Sequence, residues 1–294
     1  MACLFYHFNL LFMKTLLVPV DFTPATDNAV NFAAEWSRKY LYNRIILLRS
    51  FYTSIYEGMI LSGEFANVDP DYLNSLRSQE KEQLSNLCNR LDEITDPGIK
   101  VQTAVTELPL VRGIIELVKN EHPATILLGS DRINNINESL ISGNVINIAR
   151  ISPVRVLIVP SNYTYQPIKK VLVPCDFNAV ETLSKVNRLY ASAQWQDVEL
   201  MVLNVDSKQG HLNPDEKFRT AENSLHDYLK NFPHRIYYVP DKNVIDGILN
   251  FTQKNQVELM IALPGKYSFL YQLTHKSVSE ALYRNTQIPV MILK

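Results

Sequence analysis

LLVPVDF, residues Leu16–Phe22, returns as VLVPCDF, residues Val171–Phe177, 155 positions later. Each stretch is an apolar run of strand length that breaks at a carboxylate. A run with almost no polar residue suits a strand covered on both faces, as in a parallel sheet. Working outward at the same offset, IILLRSF (Ile45–Phe51) matches LMVLNVD (Leu200–Asp206). Further on the offset shortens to 134: ATILLGS (Ala124–Ser130) pairs with ELMIALP (Glu258–Pro264), and RVLIV (Arg155–Val159) with PVMIL (Pro289–Leu293). The chain is therefore a duplication, and its first copy carries 21 extra residues, assigned to the Gly- and Ser-containing surface excursion Tyr52–Pro70.

Within each copy, short strand-like runs alternate with helical patterns, as parallel strands joined by crossover helices require. Thr23-Pro24 offers a cap followed by proline at the first helical position. Ala29, Ala33, Trp36 and Tyr40 then recur at helical spacing and predict the buried stripe of a first helix. Leu84, Leu87, Leu91 and Ile94 predict a second, ended by Asp96-Pro97-Gly98. Strand Val101–Val105, helix Val111–Glu121, strand Thr125–Leu128 and a strand near Val156 complete the first copy. The second is expected to repeat this plan through Val171, Leu200, Ile236, Leu259 and Val290. The fold class is α/β: two tandem, Rossmann-like domains with five-stranded parallel sheets, divided as residues 1–162 and 163–294 and joined by the polar connection Ser161–Lys170.

Composition narrows the function. The 294 residues are 46% hydrophobic and carry a net charge of −1, enough to fill two cores and with no global field for nucleic acid or an anionic membrane. Cys3, Cys88 and Cys175 form no C-x-x-C pair, and the six histidines no H-x-x-x-H pair, so neither a disulfide framework nor a metal site is predicted. Scattered thiols fit a reducing, cytoplasmic setting. Residues 1–12 (MACLFYHFNLLF) are apolar but too short to span a bilayer, and Lys14 follows rather than precedes them, unlike a secretory signal. They are expected to be a dispensable extension ahead of Met13.

In open parallel sheets ligands bind outside the carboxyl ends of the strands. Asp21 and Asp176 stand there, each just after a buried strand. Such a carboxylate can accept hydrogen bonds from a ribose or a base edge, or it can simply cap the helix that follows. The V-P-x-D-F ending of the first strand, the paired leucines of the second, the Gly-Ser after the fourth and a last strand entered past a proline together resemble the universal stress protein family. The resemblance runs over both copies from Lys14 onward. It implies an adenine nucleotide α-hydrolase-like sheet, dimerisation through the last strand and, in one branch, ATP binding through G-x2-G-x9-G-S/T between strand four and the next helix.

Glycines in that motif let backbone amides approach phosphates at a helix N-terminus. Fitted to the first copy, it falls on Gly129, Arg132 and Ser142-Gly143; only the first glycine is kept and the closing pair is reversed. In the second it falls on Leu263, Lys266 and Lys276-Ser277, with Pro264, Tyr267, Phe269, Leu270, Tyr271 and His275 filling the loop. The second copy is therefore read as degenerate. What remains is an expected ATP or AMP site in the first domain, built from Asp21, the backbone at Ser50, Gly129, Ser130, Arg132, Ser142, Gly143 and Asn144. The chain carries no P-loop, no S-G-G-x-D-S loop and no G-x-S-x-G elbow, so a regulatory binding protein of the stress response is expected rather than an enzyme. The competing reading is a ligand-free interaction scaffold with two vestigial crevices. In either, the last strands of the copies, 155–159 and 289–293, are expected to pair antiparallel as an internal pseudo-dimer, with a homodimer as the further possibility.

Overall fold

The computed structural model describes residues 14–52, 70–131, 140–190, 193–263 and 286–294. Residues 1–12, the excursion at 53–69 and the whole loop 264–285 lie outside the described residues, and with them Lys266, Tyr267, Phe269, Leu270, Tyr271, His275, Lys276 and Ser277. The chain divides into two compact units, the first ending at Ile148 and the second running on from Ala149.

In the first unit, strands β1 (Thr15–Val20), β2 (Arg44–Ser50), β3 (Lys100–Thr106) and β4 (Thr125–Ser130) lie parallel in the order β3-β2-β1-β4. Helices α1 (Pro24–Lys39), α2 (Pro70–Ile94), α3 (Leu110–Glu121) and α4 (Leu140–Ile151) follow them in turn. Every residue of β1 and β4 is buried, which is why these strands read as unbroken apolar runs. Helix α1 begins as expected, with Thr23 as N-cap accepting from Thr26 N and proline in its first turn. Ala29, Ala33, Trp36 and Tyr40 are buried, as are Leu84, Leu87 and Leu91 on α2; Ile94, expected in that stripe, stands 44% exposed because it is the last residue of its helix.

The second unit holds β5 (Arg155–Pro160), β6 (Lys170–Pro174), β7 (Glu199–Val205), β8 (His234–Val239), β9 (Leu259–Ala262) and β10 (Val290–Ile292), in the order β5-β10-β9-β6-β7-β8. All neighbours are parallel except β5 and β10, which pair antiparallel with Val290 opposite Ile158 and Ile292 opposite Val156. The chain between β5 and β6 is tied down here: the Tyr163 hydroxyl donates to the Glu258 carbonyl at 3.2 Å, and the Glu258 carboxylate accepts from the amide of Lys170 at 2.7 Å. The fold is α/β throughout, with five strands from each copy.

The second copy departs from the first at its opening crossover. Where α1 was expected to recur, the chain forms a 3-10 helix over Phe177–Lys185, kinked at Ala179, and then the short α5 (Asn187–Tyr190). Helices α6 (Glu216–Leu229) and α7 (Val244–Lys254) occupy the later crossovers. Among the described residues, no helix is long and apolar enough to cross a membrane.

Candidate functional site

Asp21 leaves β1 at its carboxyl end, and the next residue, Phe22, takes the left-handed conformation with φ 59°. That turn puts the Asp21 carboxylate over the first turn of α1. Its Oδ1 accepts from the Thr23 hydroxyl at 2.7 Å, the Thr26 hydroxyl at 2.5 Å and the Thr23 amide at 3.3 Å. Its Oδ2 accepts from the amide of Ile141, in the first turn of α4, at 3.1 Å. The carboxylate thus meets two helix starts at once, where unpaired amides and the macrodipole both favour an anion. Beside it the Arg49 guanidinium lies 5.1 Å from the Phe22 ring and makes a two-pronged pair with Glu80 on α2, at 3.0 and 2.8 Å.

The other expected residues fall into three groups. Ser50, Gly129 and Ser130 reach the same sheet end, but Gly129 and Ser130 are the last two residues of β4 rather than a loop beyond it. The Ser50 hydroxyl donates to the Leu108 carbonyl at 2.8 Å. Gly129 has a packing reason to be bare: a Cβ there would lie 2.3 Å from the Ala25 carbonyl oxygen of α1, so strand and helix backbones touch. Ser142, Gly143 and Asn144 lie within the first turns of α4, not in the loop ahead of it. Gly143 is exposed and Asn144 half-buried. Arg132 and the side chain of Ser142 are outside the described residues.

The second copy brings together residues that the sequence reading passed over. Asp176 caps the 3-10 helix directly, its Oδ1 accepting from the amide and the side-chain nitrogen of Asn178 at 2.8 and 2.9 Å. Around the carboxyl ends of β6 and β7 a cleft of ≈ 340 Å³ opens, lined by Asp176, Asn178, Asn204, Asp206, Lys208 and Lys217. Asn204 is held by its donation to the Cys175 carbonyl at 2.9 Å, and Lys217 donates to the Asn178 side chain at 3.0 Å. Asp206 accepts from both the amide and the ring Nδ1 of His211, at 2.9 and 2.8 Å. Burial pushes that carboxyl upward, but the hydrogen bonds from His211 and Gly210 outweigh it and hold it below the usual range. The His211 ring stacks flat on Tyr238, centroids 4.7 Å apart, and the Tyr238 hydroxyl, raised by burial and by the carboxylate it donates to, reaches Glu222 at 2.6 Å. One hint was present in the sequence: Asp206 ends the very run that matches β2.

Leu263, which replaces the motif glycine, is buried at 3% exposure, and Pro264 lies outside the described residues. Among the described residues no group of three or more His, Cys, Asp or Glu side chains is placed to hold a metal ion.

The family model described as the universal stress protein family matches residues 13–160 and, a second time, 167–294. The chain belongs to the universal stress protein family. Solved structures agree with this in fold. A universal stress protein from Archaeoglobus fulgidus is similar over 96% of this chain and 98% of its own, with a TM-score of 0.67 at 16% identity. A protein of unknown function from Pseudomonas aeruginosa covers 96% of this chain and 92% of its own, with a TM-score of 0.51 at 15% identity. The cytoplasmic domain of a prokaryotic cation chloride cotransporter reaches the same TM-score, 0.51, at 14% identity over 96% of this chain and 95% of its own. No curated protein matches this universal stress protein.

Proposed function

We propose that this universal stress protein is a cytoplasmic regulatory binding protein, not an enzyme, that takes an adenine nucleotide, ATP or AMP, at the first copy's sheet end. The observation that carries this reading is the Asp21 carboxylate on the Ile141 amide. The crevice presents an amide at a helix start to an anion, with a hydrogen-bonding carboxylate, Ser50, Ser130 and the glycines at 129 and 143 around it. A phosphate would take over the Ile141 amide, and Asp21 would turn to the ribose or base. Because the site is already satisfied internally, binding is weak and reversible, as suits a sensor. We further read residues 1–162 and 163–294 as the two repeats of an internal pseudo-dimer, supported by the antiparallel pairing of β5 with β10.

A second reading rests on the cleft of the second copy, whose ≈ 340 Å³ falls within the range of small-molecule pockets. One titration separates the readings. Calorimetry with AMP and ATP should show binding weakened by Asp21→Ala and nearly unchanged by Asp176→Ala. A larger loss at Asp176 would move the ligand to the second copy. No heat with the unmodified protein would leave the scaffold, with both crevices vestigial.

A further inference from the structure

Two histidines at the amino-terminal end of β8, the opposite end of the sheet from the second copy's cleft, make a contact with chemical consequences. His226 lies in the last turn of α6 and His234 opens β8. Nδ1 of His226 and Nε2 of His234 are 2.8 Å apart, with ring centroids at 5.0 Å. The tautomers follow from a third atom. His234 Nδ1 lies 2.8 Å from the Phe232 carbonyl oxygen, which can only accept, so that nitrogen carries the proton. Nε2 of His234 is then the lone-pair side, and His226 Nδ1–H donates to it. A backbone carbonyl that fixes one ring nitrogen and leaves the other as a directed lone pair is the arrangement found behind metal-binding histidines.

We propose that His226 and His234 form a two-imidazole chelate for a divalent transition metal that imidazole nitrogens suit, such as Ni²⁺ or Cu²⁺. His226 is exposed and makes no other hydrogen bond among the described residues, so its ring can turn to aim Nδ1 at an ion. Its proton then moves from Nδ1 to Nε2. No net proton is released from the neutral pair, and water completes the coordination. Charged neighbours in sequence are Asp227 and Lys230 at the end of α6 and Arg235, which is directed to Glu199 at 3.4 Å. A bound ion would tie the end of α6 to the start of β8.

The test uses the full, untagged chain and Ni²⁺, which does not oxidise its three cysteines. Calorimetry should give one dominant site, and His226→Gln, which keeps a hydrogen-bonding side chain, should weaken it at least about tenfold. His122→Gln should leave it unchanged. Ni²⁺ should broaden the ring resonances of His226 and His234 before those of His122 and His211. The proposal is overturned by no binding at submillimolar Ni²⁺, by equal affinity in His226→Gln with its melting temperature intact, or by broadening centred on another histidine.

Discussion

The two copies leave their first strands through the same Asp-Phe pair and build different structures after it. After β1, Asp21-Phe22-Thr23-Pro24 takes a left-handed step at Phe22 and lets Thr23 cap a 16-residue α-helix. After β6, Asp176-Phe177-Asn178-Ala179 has no proline to favour the helical first turn, Asn178 folds back on Asp176, and the carboxylate itself caps a 3-10 helix. The same contrast recurs at strand four. Gly129 is bare because α1 lies against it, whereas the corresponding Leu263 of the copy with the 3-10 crossover carries a buried side chain. A glycine that looks like part of a phosphate loop is thus explained in part by helix packing, and its loss in the second copy goes with the loss of that helix.

The sharpest way to break this comparison is Gly129→Ala. Its Cβ would stand 2.3 Å from a backbone oxygen, which no side-chain adjustment relieves, so strand or helix must shift. We expect a loss of about 3 kcal/mol or more in chemical denaturation, the upper end of overpacking. A change below about 1 kcal/mol would show that α1 is loosely seated. Leu263→Ala should cost about 2–3 kcal/mol, as for a buried leucine, and a neutral result would mean the second copy does not use that volume.

Next in size is the pair of carboxylates. Asp21 accepts from the hydroxyls of Thr23 and Thr26 and the amides of Thr23 and Ile141, whereas among the described residues Asp176 accepts from Asn178 alone. Removing Asp21 leaves several part-buried donors unmet, and Asp21→Ala should destabilise by about 2–3 kcal/mol against about 1 kcal/mol for Asp176→Ala, an ordinary cap. Equal losses in urea unfolding would remove the distinction between bridge and cap.

A smaller effect concerns acid. Asp206 is held below its unfolded value, so its contribution is fully present above about pH 4 and is lost as pH falls through the folded value. Asp206→Asn should flatten the acid limb of the unfolding curve below about pH 4 and lower stability near neutrality without changing its pH slope there. An unchanged acid limb would show that His211 contributes nothing through this contact. Smallest of all, Cys175, buried and pushed up to about 12, should resist alkylation at pH 8 in the native chain, while half-buried Cys88 labels slowly. Rapid labelling of Cys175 would mean that the end of β6 opens.

Much of this was legible from the residues. The buried strands were found because two-sided burial leaves no polar position, and α1 because Thr23-Pro24 and the Ala29–Tyr40 stripe agree. The 3-10 crossover was not legible, since Phe177–Lys185 still spaces its apolar residues like a helix and only the missing proline marks the change. Nor was the engagement of Asp21, because Ile141 is far along the chain and an amide donor leaves no trace in residue type. The second-copy cleft escaped notice because its lining polar residues, Asn204 within β7 and Asp206 just after it, belong to no motif.

The antiparallel neighbours β5 and β10 have a consequence for the life of the nascent chain. Roughly 130 residues separate the end of one from the start of the other. At ~5–20 residues per second a ribosome needs on the order of ten seconds to cross that distance. For that interval Arg155–Pro160 must wait without the edge, Val290–Ile292, that it will join. Synthesis halted anywhere in that interval would leave a first copy whose final strand never meets its mate.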